Sequence, residues 1–295
     1  MSSGSSGFKN KKLNLSSEFE NFSSSRGNSK DHWENLWDNV DLKNEIKTNN
    51  YDDMQEVFSL YKKYLPKKNE GKILEAGCGL GAKLLYWHNL GYDIVGIDYV
   101  KQSLQKLCSH DSAVKVVAAD IHCIPFPNDF FKVYLSYGVM EHIETGYLDA
   151  LKEAYRVLDA DGILVFMVPH DNWITNFNID PNNFIRRLKT KNIIRKIFSK
   201  SPLTREQLQI YDNNNFFIRT LPVEEIKNNL IKVGFKVLSF HPIYHGDTLY
   251  ELIEFFHEND CGKLTPFARK LAKFLKFCFP WFSASSSMTI AQAQK

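Results

Sequence analysis

The fold of this chain is most constrained by a short apolar run that leads directly into three closely spaced glycines. Residues 72–81 form a buried-strand pattern followed at once by Gly77, Gly79 and Gly81. Glycines let the backbone turn tightly and approach a ligand with no Cβ in the way. The next segment, residues 82–89, is predicted to be a helix whose free N–H groups face that ligand. The pattern therefore predicts an α/β fold with a nucleotide-type cofactor site.

Two cofactor classes fit this glycine spacing, and an acid before the loop separates them. Gly77, Gly79 and Ala82 satisfy the dinucleotide pattern G-x-G-x-x-G/A. Glu75 and Gly81 extend the run to E-x-G-x-G-x-G, which resembles motif I of the class I S-adenosylmethionine (SAM)-dependent methyltransferases. An acid beside the loop repels a pyrophosphate but attracts the ammonium and sulfonium of SAM. Glu75 thus favours SAM, with a NAD(P)-dependent oxidoreductase as the alternative.

Two further acids stand at the ends of predicted strands. Asp98 ends the second strand and lies 21 residues after Gly77, the spacing at which an acidic residue reaches ribose hydroxyls. Tyr99 follows it and is a candidate to lie against the adenine ring. The third strand ends at Asp120 and Ile121, and the methyltransferase resemblance implies that this acid accepts from the adenine amino group while the apolar residue packs on the ring. Singly such acids are ordinary turn formers, but in this order they support a SAM site.

The stretch around the fourth predicted strand carries a more specific resemblance. Residues 124–131 and 137–143 look like the "LPF…FD…VLEHI" signature of the SAM methyltransferase group that includes the ubiquinone/menaquinone-biosynthesis enzymes. Lys132 and Val133 depart from it, since that signature usually has an aspartate there. The predicted cofactor-binding residues are Glu75, Gly77, Cys78, Gly79, Gly81, Asp98, Tyr99, Asp120, Ile121, Tyr137 and Gly138.

The candidate catalytic residues follow from the loops that this fold places beside the methyl group. Methyl transfer from SAM is an in-line displacement in which the protein mainly aligns donor and acceptor, and a hydroxyl acceptor also needs a base. His142 and His170 lie on or near the loops after strands four and five, so they are the candidate bases, with Glu141 as a helper or carboxylate ligand. An N- or C-acceptor can react without a protein base, in which case Tyr137 or Tyr211 could instead orient the substrate.

The second half of the chain supplies the remaining strands. Residues 162–168 read as a buried fifth strand after a helix ended by Asp161 and Gly162, residues 235–242 as the sixth, and residues 287–294 as the seventh. The resemblance implies that the seventh strand inserts antiparallel between strands five and six. We therefore expect a Rossmann-like seven-stranded sheet, parallel except for its last strand, with helices on both faces and the ligand at the carboxyl ends of the strands.

The N-terminal region divides into two parts. Residues 1–30 are predicted to be a tag remnant followed by a disordered stretch rich in Ser, Asn and Lys. Residues 31–295 are then expected to form a single domain. Its first helix, from about Asp31, places Trp33 and Trp37 on one face, and core packing is favoured over cofactor contact for these tryptophans.

Two insertions, at about 170–220 and 243–286, are expected to hold the substrate specificity, because variable segments over a fixed site do so. Both contain basic amphipathic stretches, at residues 184–200 and 264–278. The favoured interpretation is a lid that packs its apolar side on the domain. Peripheral contact with a membrane, suited to a lipid-like acceptor, is the second, and nucleic acid is the last because no RNA-binding module is recognisable. A small metabolite, a sugar and a lipid-like aromatic are all compatible acceptors, and a non-catalytic SAM-binding protein is a further alternative.

Composition sets the remaining bounds. No apolar run approaches the roughly 18 residues that a membrane span needs. The net charge of +3 points to no partner by itself. The five cysteines are odd in number, scattered and without C-x-x-C spacing, which fits a reduced, cytoplasmic compartment with neither a disulfide framework nor a zinc site.

Overall fold

The computed structural model describes residues 27–172, 175–176, 217–245, 257–258 and 263–295. The strands are β1 (Ile73–Ala76), β2 (Ile94–Asp98), β3 (Lys115–Ala118), β4 (Phe131–Tyr137), β5 (Leu158–Pro169), β6 (Phe235–Ile243), β7 (His257–Glu258), β8 (Lys263–Leu264) and β9 (Ser286–Ala293). The helices are α1 (Gly27–Asn39), α2 (Leu42–Thr48), α3 (Asp52–Lys62), α4 (Ala82–Asn89), α5 (Lys101–His110), α6 (Leu148–Val157), α7 (Val223–Val233), α8 (Pro266–Cys278) and α9 (Pro280–Ser283).

A seven-stranded sheet organises the domain, in the order β3-β2-β1-β4-β5-β9-β6. The pairs from β3 through β5 are parallel, whereas β9 runs antiparallel to both of its neighbours, β5 and β6. This confirms the predicted sheet with its single antiparallel strand. Because the strand order reverses between β1 and β4, a crevice opens there at the carboxyl ends of the strands. The short ribbon of β7 and β8 is separate from this sheet.

Alternate residues of the central strands feed two apolar layers, one on each face of the sheet. Leu74 and Tyr134 belong to the layer that includes α6 and α7. Ile73 and Val133 belong to the layer that includes α3 and α4. Successive strand residues point to opposite faces, so a strand covered on both faces must be apolar throughout. This is why β1 is apolar on both faces apart from Glu75, rather than alternating between apolar and polar residues.

Several element boundaries differ from those expected from the sequence. Helix α1 begins at Gly27, so residues 27–30, which were predicted to be disordered, are helical, and residues 1–26 lie outside the described residues. Strand β5 begins at Leu158, directly after α6, so that Asp161 and Gly162 lie within the strand instead of ending the helix. Helix α5 connects β2 to β3 and was not among the predicted helices. Tertiary pairing along β4 extends β5 backwards, which local sequence preference could not reveal.

The two predicted insertions are only partly within the described residues. The basic stretch 184–200 and Tyr211 lie outside them. The second insertion is described at residues 243–245, at residues 257–258 and from residue 263 onward, where α8 and α9 form. In the part of the chain that the structure describes, no helix combines the length and apolar character needed to cross a membrane. The same part contains no grouping of His, Cys, Asp and Glu suited to a metal ion.

Candidate functional site

The predicted glycine loop lies between β1 and α4 in a conformation that requires glycine. Gly77, Gly79 and Gly81 have φ values of 73°, 52° and 73°, in the left-handed region that other residues rarely adopt. A Cβ added at Gly77 would lie 2.5 Å from the Val139 side chain, and one at Gly79 would lie 2.7 Å from the Trp37 ring. The side chains of Val139 and Trp37 therefore lie close against the loop backbone, and a larger residue at Gly77 or Gly79 would displace them.

Glu75, near the end of β1, is a buried carboxyl under this loop. It is 2% exposed, and its Oε2 has no hydrogen-bond partner among the described residues. Burial raises the pKa of Glu75 from 4.5 to about 8, with Lys83 opposing the rise and Asp98 adding to it. A buried carboxylate without a partner is costly. The position is thus suited to a ligand that brings a positive charge.

Asp98 ties the glycine loop to the end of β2. Its Oδ2 accepts from the Gly79 N–H at 2.7 Å and its Oδ1 from the Val100 N–H at 2.8 Å. Burial raises the pKa of Asp98 to about 6, while these backbone donors lower it. The Cys78 N–H donates to the Ile97 carbonyl at 2.9 Å on the same strand. Asp98 therefore shapes the loop itself, a role additional to the predicted ribose contact.

At the predicted adenine end of the site, Asp120 is hydrogen-bonded within the loop that follows β3. Asp120 is buried, and its Oδ1 accepts from the His122 N–H at 2.9 Å and lies 2.7 Å from His122 Nδ1. Ile121 is buried next to it, and Tyr99 is partly exposed. His122 was not predicted as a site residue. The only sequence signal for it was its position two residues after an aspartate, which is common in ordinary turns.

Tyr137 ends β4 beside the loop and joins an aromatic hydrogen-bond chain. Its hydroxyl is hydrogen-bonded to that of Tyr61 from α3, and Trp87 Nε1–H donates to Tyr61 at 2.8 Å. Burial, with the nearby charge of Glu75, holds the pKa of Tyr137 well above its ordinary value. Gly138 follows with a φ of 69° and turns the chain out of the strand. Tyr137 is thus fixed in place by a helix far away in sequence, which is why Tyr61 and Trp87 were missed.

Glu141 and His142 lie together on a short 3₁₀ turn that follows β4. Glu141 is buried, its Oε2 has no partner among the described residues, and burial raises its pKa to about 8. His142 Nδ1 is 2.9 Å from the Phe217 carbonyl, which can only accept, so Nδ1 carries a proton. His142 Nε2 then lies 3.8 Å from Glu141 Oε1. Burial lowers the pKa of His142 to about 4, so its ring is neutral at pH 7.

His170, the third candidate catalytic residue, lies at a different part of the same edge. It follows β5, it is buried, and its ring centroid lies 5.1 Å from that of Trp281 in α9. Burial lowers its pKa. Residues 217–221 connect His142 to His170. The Phe217 carbonyl accepts a hydrogen bond from His142, and Leu221 forms an isolated β-bridge with His170. His170 and His142 therefore lie on the same edge of the sheet, linked by residues 217–221.

Helix α1 covers the site, contrary to the expectation that its tryptophans pack in the core. Trp33 and Trp37 stack with ring centroids 5.6 Å apart, and both are only partly buried. The Trp37 ring lies over Gly79, and Trp33 meets the His142 ring edge-on at 5.1 Å. Lys106 Nζ fixes the end of the helix through the Trp37 carbonyl at 2.8 Å. The two rings therefore extend from the glycine loop to the 3₁₀ turn that carries Glu141 and His142.

Comparisons with known proteins agree with this architecture. A family model described as a methyltransferase domain matches residues 74–166, from β1 into β5. A malonyl-[acyl-carrier protein] O-methyltransferase from Enterobacter lignolyticus is 31% identical over 102 residues, which cover 35% of this chain and 40% of that enzyme. An uncharacterized protein from Methanocaldococcus jannaschii is 30% identical over 195 residues, which cover 63% of this chain and 77% of that protein.

The solved structures are similar in fold. An S-adenosylmethionine-dependent methyltransferase from Mesorhizobium loti aligns with a TM-score of 0.51 at 15% identity, over 80% of this chain and 96% of that one. At this identity the alignment shows a shared fold, and the match to the Enterobacter enzyme spans less than half of that enzyme's length.

Proposed function

We propose that this chain, which belongs to the class I SAM-dependent methyltransferase superfamily, transfers the methyl group of SAM to a small-molecule, sugar or lipid-like acceptor and releases S-adenosyl-L-homocysteine (SAH). Within this proposal, residues 31–295 act as a single catalytic domain. Membership of the superfamily supports methyl transfer from SAM as the reaction, and the class of acceptor is our inference. A lipid-like acceptor would also fit the peripheral membrane contact predicted for the basic helices.

The observation that carries the cofactor assignment is the buried carboxyl of Glu75, whose Oε2 has no hydrogen-bond partner among the described residues. SAM has an ammonium and a sulfonium, so it would add positive charge beside a carboxyl whose pKa stays raised to about 8 despite the charge of Lys83. When bound, SAM supplies a methyl group made electrophilic by its sulfonium. A dinucleotide would instead bring a pyrophosphate toward the buried acid Glu75. The site is therefore better suited to SAM than to NAD(P).

The other cofactor residues have distinct proposed tasks. The backbone of the glycine loop, including Cys78, would approach the methionine and ribose portions. Asp98 would keep the loop closed and accept from ribose hydroxyls with its remaining lone pairs. Tyr99, Asp120 and Ile121 would hold the adenine, and Tyr137 and Gly138 would border the methionine end. These assignments rest on the placement of each residue around the carboxyl ends of β1, β2, β3 and β4.

We propose Glu141 as the proton acceptor if the methyl acceptor is a hydroxyl compound. Its pKa of about 8 is close to the working pH, which suits a general base, whereas His142 has a pKa of about 4 and holds a proton weakly. In this arrangement the acceptor O–H bond breaks, and its proton passes to the Glu141 carboxylate. Neutral His142, oriented by the Phe217 carbonyl, would position the acceptor or relay the proton through Nε2. His170 would line the acceptor side beneath Trp281.

Calorimetric titration with SAH, with NADH run in parallel, tests the proposed function. We expect micromolar binding of SAH alone. Glu75→Gln preserves the shape of the side chain but removes its charge, and we expect it to weaken SAH binding roughly 10- to 100-fold, as for loss of a hydrogen bond to a charged group. Glu70→Gln, the same change at an exposed position, should leave the affinity unchanged.

The same titration can overturn the proposal. Binding of NADH alone, or tighter binding of SAH or NADH by Glu75→Gln, would refute a role for Glu75 as the partner of a cationic cofactor. SAH binding without transfer of labelled methyl groups to a broad set of acceptors would favour a non-catalytic SAM-binding protein.

We also propose a cytoplasmic location. The cysteines in the described part of the chain, Cys78, Cys108, Cys123 and Cys278, are all free thiols. Free thiols persist in a reducing compartment.

A further inference from the structure

Helix α8 is attached to the domain by its face of small residues. Ala268 and Ala272 are buried, and Leu271 and Leu275 pack against them. Lys276, at the edge of this face, forms an ion pair with Glu56 of α3. These contacts fix which side of the helix points away from the domain.

The outward face of α8 interleaves phenylalanines with lysines. Phe274 is 57% exposed and Phe277 is 88% exposed. At 100° per residue, Lys270, Lys273, Phe274 and Phe277 fall within an arc of roughly 100°. The chain then continues to Phe279, which is 57% exposed. The helix was expected to pack its apolar side on the domain. Only its alanines and leucines do so, and Phe274 and Phe277 point away from the domain.

This part of the chain carries positive charge and no negative charge. From Cys261 to Lys295 the sequence contains basic residues but no Asp or Glu. Lys276 is compensated by Glu56, whereas Lys270 and Lys273 lie on the outward face with the phenylalanines. A surface that is both aromatic and cationic fits a partner that is both apolar and anionic.

Helix α8 leads into α9, which lies at the edge of the sheet that carries the candidate site. Ser286, the first residue of β9, pairs with Pro169 at the carboxyl end of β5 and with Ile243 at the carboxyl end of β6. The segment directly before β9, which is α9, is therefore at the carboxyl edge. Trp281 of α9 contacts His170 at that edge.

We propose that Lys270, Lys273, Phe274, Phe277 and Phe279, here called the basic-aromatic surface, dock the protein on the surface of an anionic lipid bilayer. The phenylalanines would enter the boundary between headgroups and acyl chains, and the lysines would meet anionic headgroups. The docking goes beyond the proposed function and does not depend on the identity of the methyl acceptor.

Other partners use only half of this surface. A phosphate backbone or an acidic protein would pair with the lysines but would leave Phe277 in water. A second copy joined by two-fold symmetry would bring Lys270 and Lys273 of both copies together, which is electrostatically unfavourable. A bilayer with anionic lipids satisfies the aromatic and the cationic groups at once.

Sedimentation with lipid vesicles tests the proposal on the full chain. The probes are large vesicles of phosphatidylcholine alone and of phosphatidylcholine mixed with phosphatidylglycerol, and we expect binding to the mixed vesicles only. Replacing two lysines near an anionic surface should weaken binding about 30-fold, so this is the loss expected for Lys270→Gln/Lys273→Gln. Phe274→Ser/Phe277→Ser should lose at least ten-fold, because the aromatic rings supply the apolar part of the contact.

Matched controls distinguish this surface from general charge and hydrophobicity. Lys67→Gln/Lys68→Gln removes the same charge from another exposed place. Leu90→Ser/Ile231→Ser removes two other exposed apolar side chains. Both pairs should bind the mixed vesicles like the parent protein.

Several outcomes would overturn the proposal. Equal binding by the parent and by both basic-aromatic variants would do so, as would a failure of the parent to bind mixed vesicles. If the lysine variant loses binding while Phe274→Ser/Phe277→Ser keeps it, the contact is purely electrostatic, as expected for an acidic protein or nucleic acid. A dimer in light scattering that Phe274→Ser/Phe277→Ser dissociates would assign the surface to a second copy.

Titration of the same variants with SAH separates docking from the proposed function. Unchanged SAH affinity in the variants would show that they are folded and that the surface acts independently of the cofactor site. Vesicle binding without SAH binding would support the docking and refute the proposed function. SAH binding without vesicle binding would support the proposed function and refute the docking.

Discussion

The buried carboxyl of Glu75 should give the stability of this protein a specific pH dependence. Its pKa is raised by burial from 4.5 to about 8. Between these values the native protein keeps a proton on Glu75 that the unfolded chain has released. The free energy of unfolding therefore falls as pH rises through this window, and the contribution becomes constant above about pH 8.

The size of the effect follows from the width of the window. One pKa unit corresponds to about 1.4 kcal/mol, so the contribution of Glu75 should fall by roughly 2 to 3 kcal/mol between pH 5 and pH 7. Glutamine has the same shape and does not titrate. The free energy of unfolding of Glu75→Gln, minus that of the parent, should therefore increase by this amount over the same range.

Urea unfolding followed by circular dichroism at pH 5, 6, 7 and 8 measures this difference. Glu70→Gln is the matched control, because it makes the same chemical change at an exposed position. A saturating concentration of SAH should reduce the pH dependence of the parent, since its ammonium would favour ionised Glu75. Parallel stability curves for the parent and Glu75→Gln would refute the reasoning that Glu75 is buried without a compensating charge.

Three further predictions concern the site. Gly79→Ala should destabilise the protein by at least about 1 to 2 kcal/mol in urea unfolding, because alanine must adopt the left-handed conformation and its Cβ meets Trp37; wild-type stability would contradict the loop geometry. Trp37→Ala should weaken SAH binding at least several-fold in calorimetry, because the ring covers the glycine loop, and unchanged affinity would mean that α1 does not close over the cofactor. Glu141→Gln should slow methyl transfer to a hydroxyl acceptor about 100-fold with unchanged SAH affinity, and should abolish the rise of kcat with pH toward about 8 that the Glu141 pKa predicts; an unaltered pH profile would exclude Glu141 as the base.

The sequence was sufficient for features that depend on local pattern and on order along the chain. The glycine loop after β1, the acids at the ends of β2 and β3, and the antiparallel last strand all agree with the structure. They were accessible because a buried strand needs apolar residues, a tight turn needs glycine, and parallel strands bring their carboxyl ends to one edge.

Features that depend on distant contacts were not accessible in this way. Trp33 and Trp37 have the spacing of a core helix, and only the placement of α1 over the glycine loop shows that they cover the site. His170 and His142 both follow strands at the same edge, and only the structure shows that residues 217–221 contact both of them.

The sequence by itself predicted a SAM site and the seven strands of the main sheet, because the glycines, the acids and the apolar runs act through their immediate neighbours. The tertiary structure decided which groups are desolvated, and with them the raised pKa of Glu75 and Glu141 and the lowered pKa of His142. It also decided that α8 turns its alanines inward and its phenylalanines outward. Both outcomes depend on what surrounds a side chain in space, and burial is a property of the assembled chain rather than of any segment.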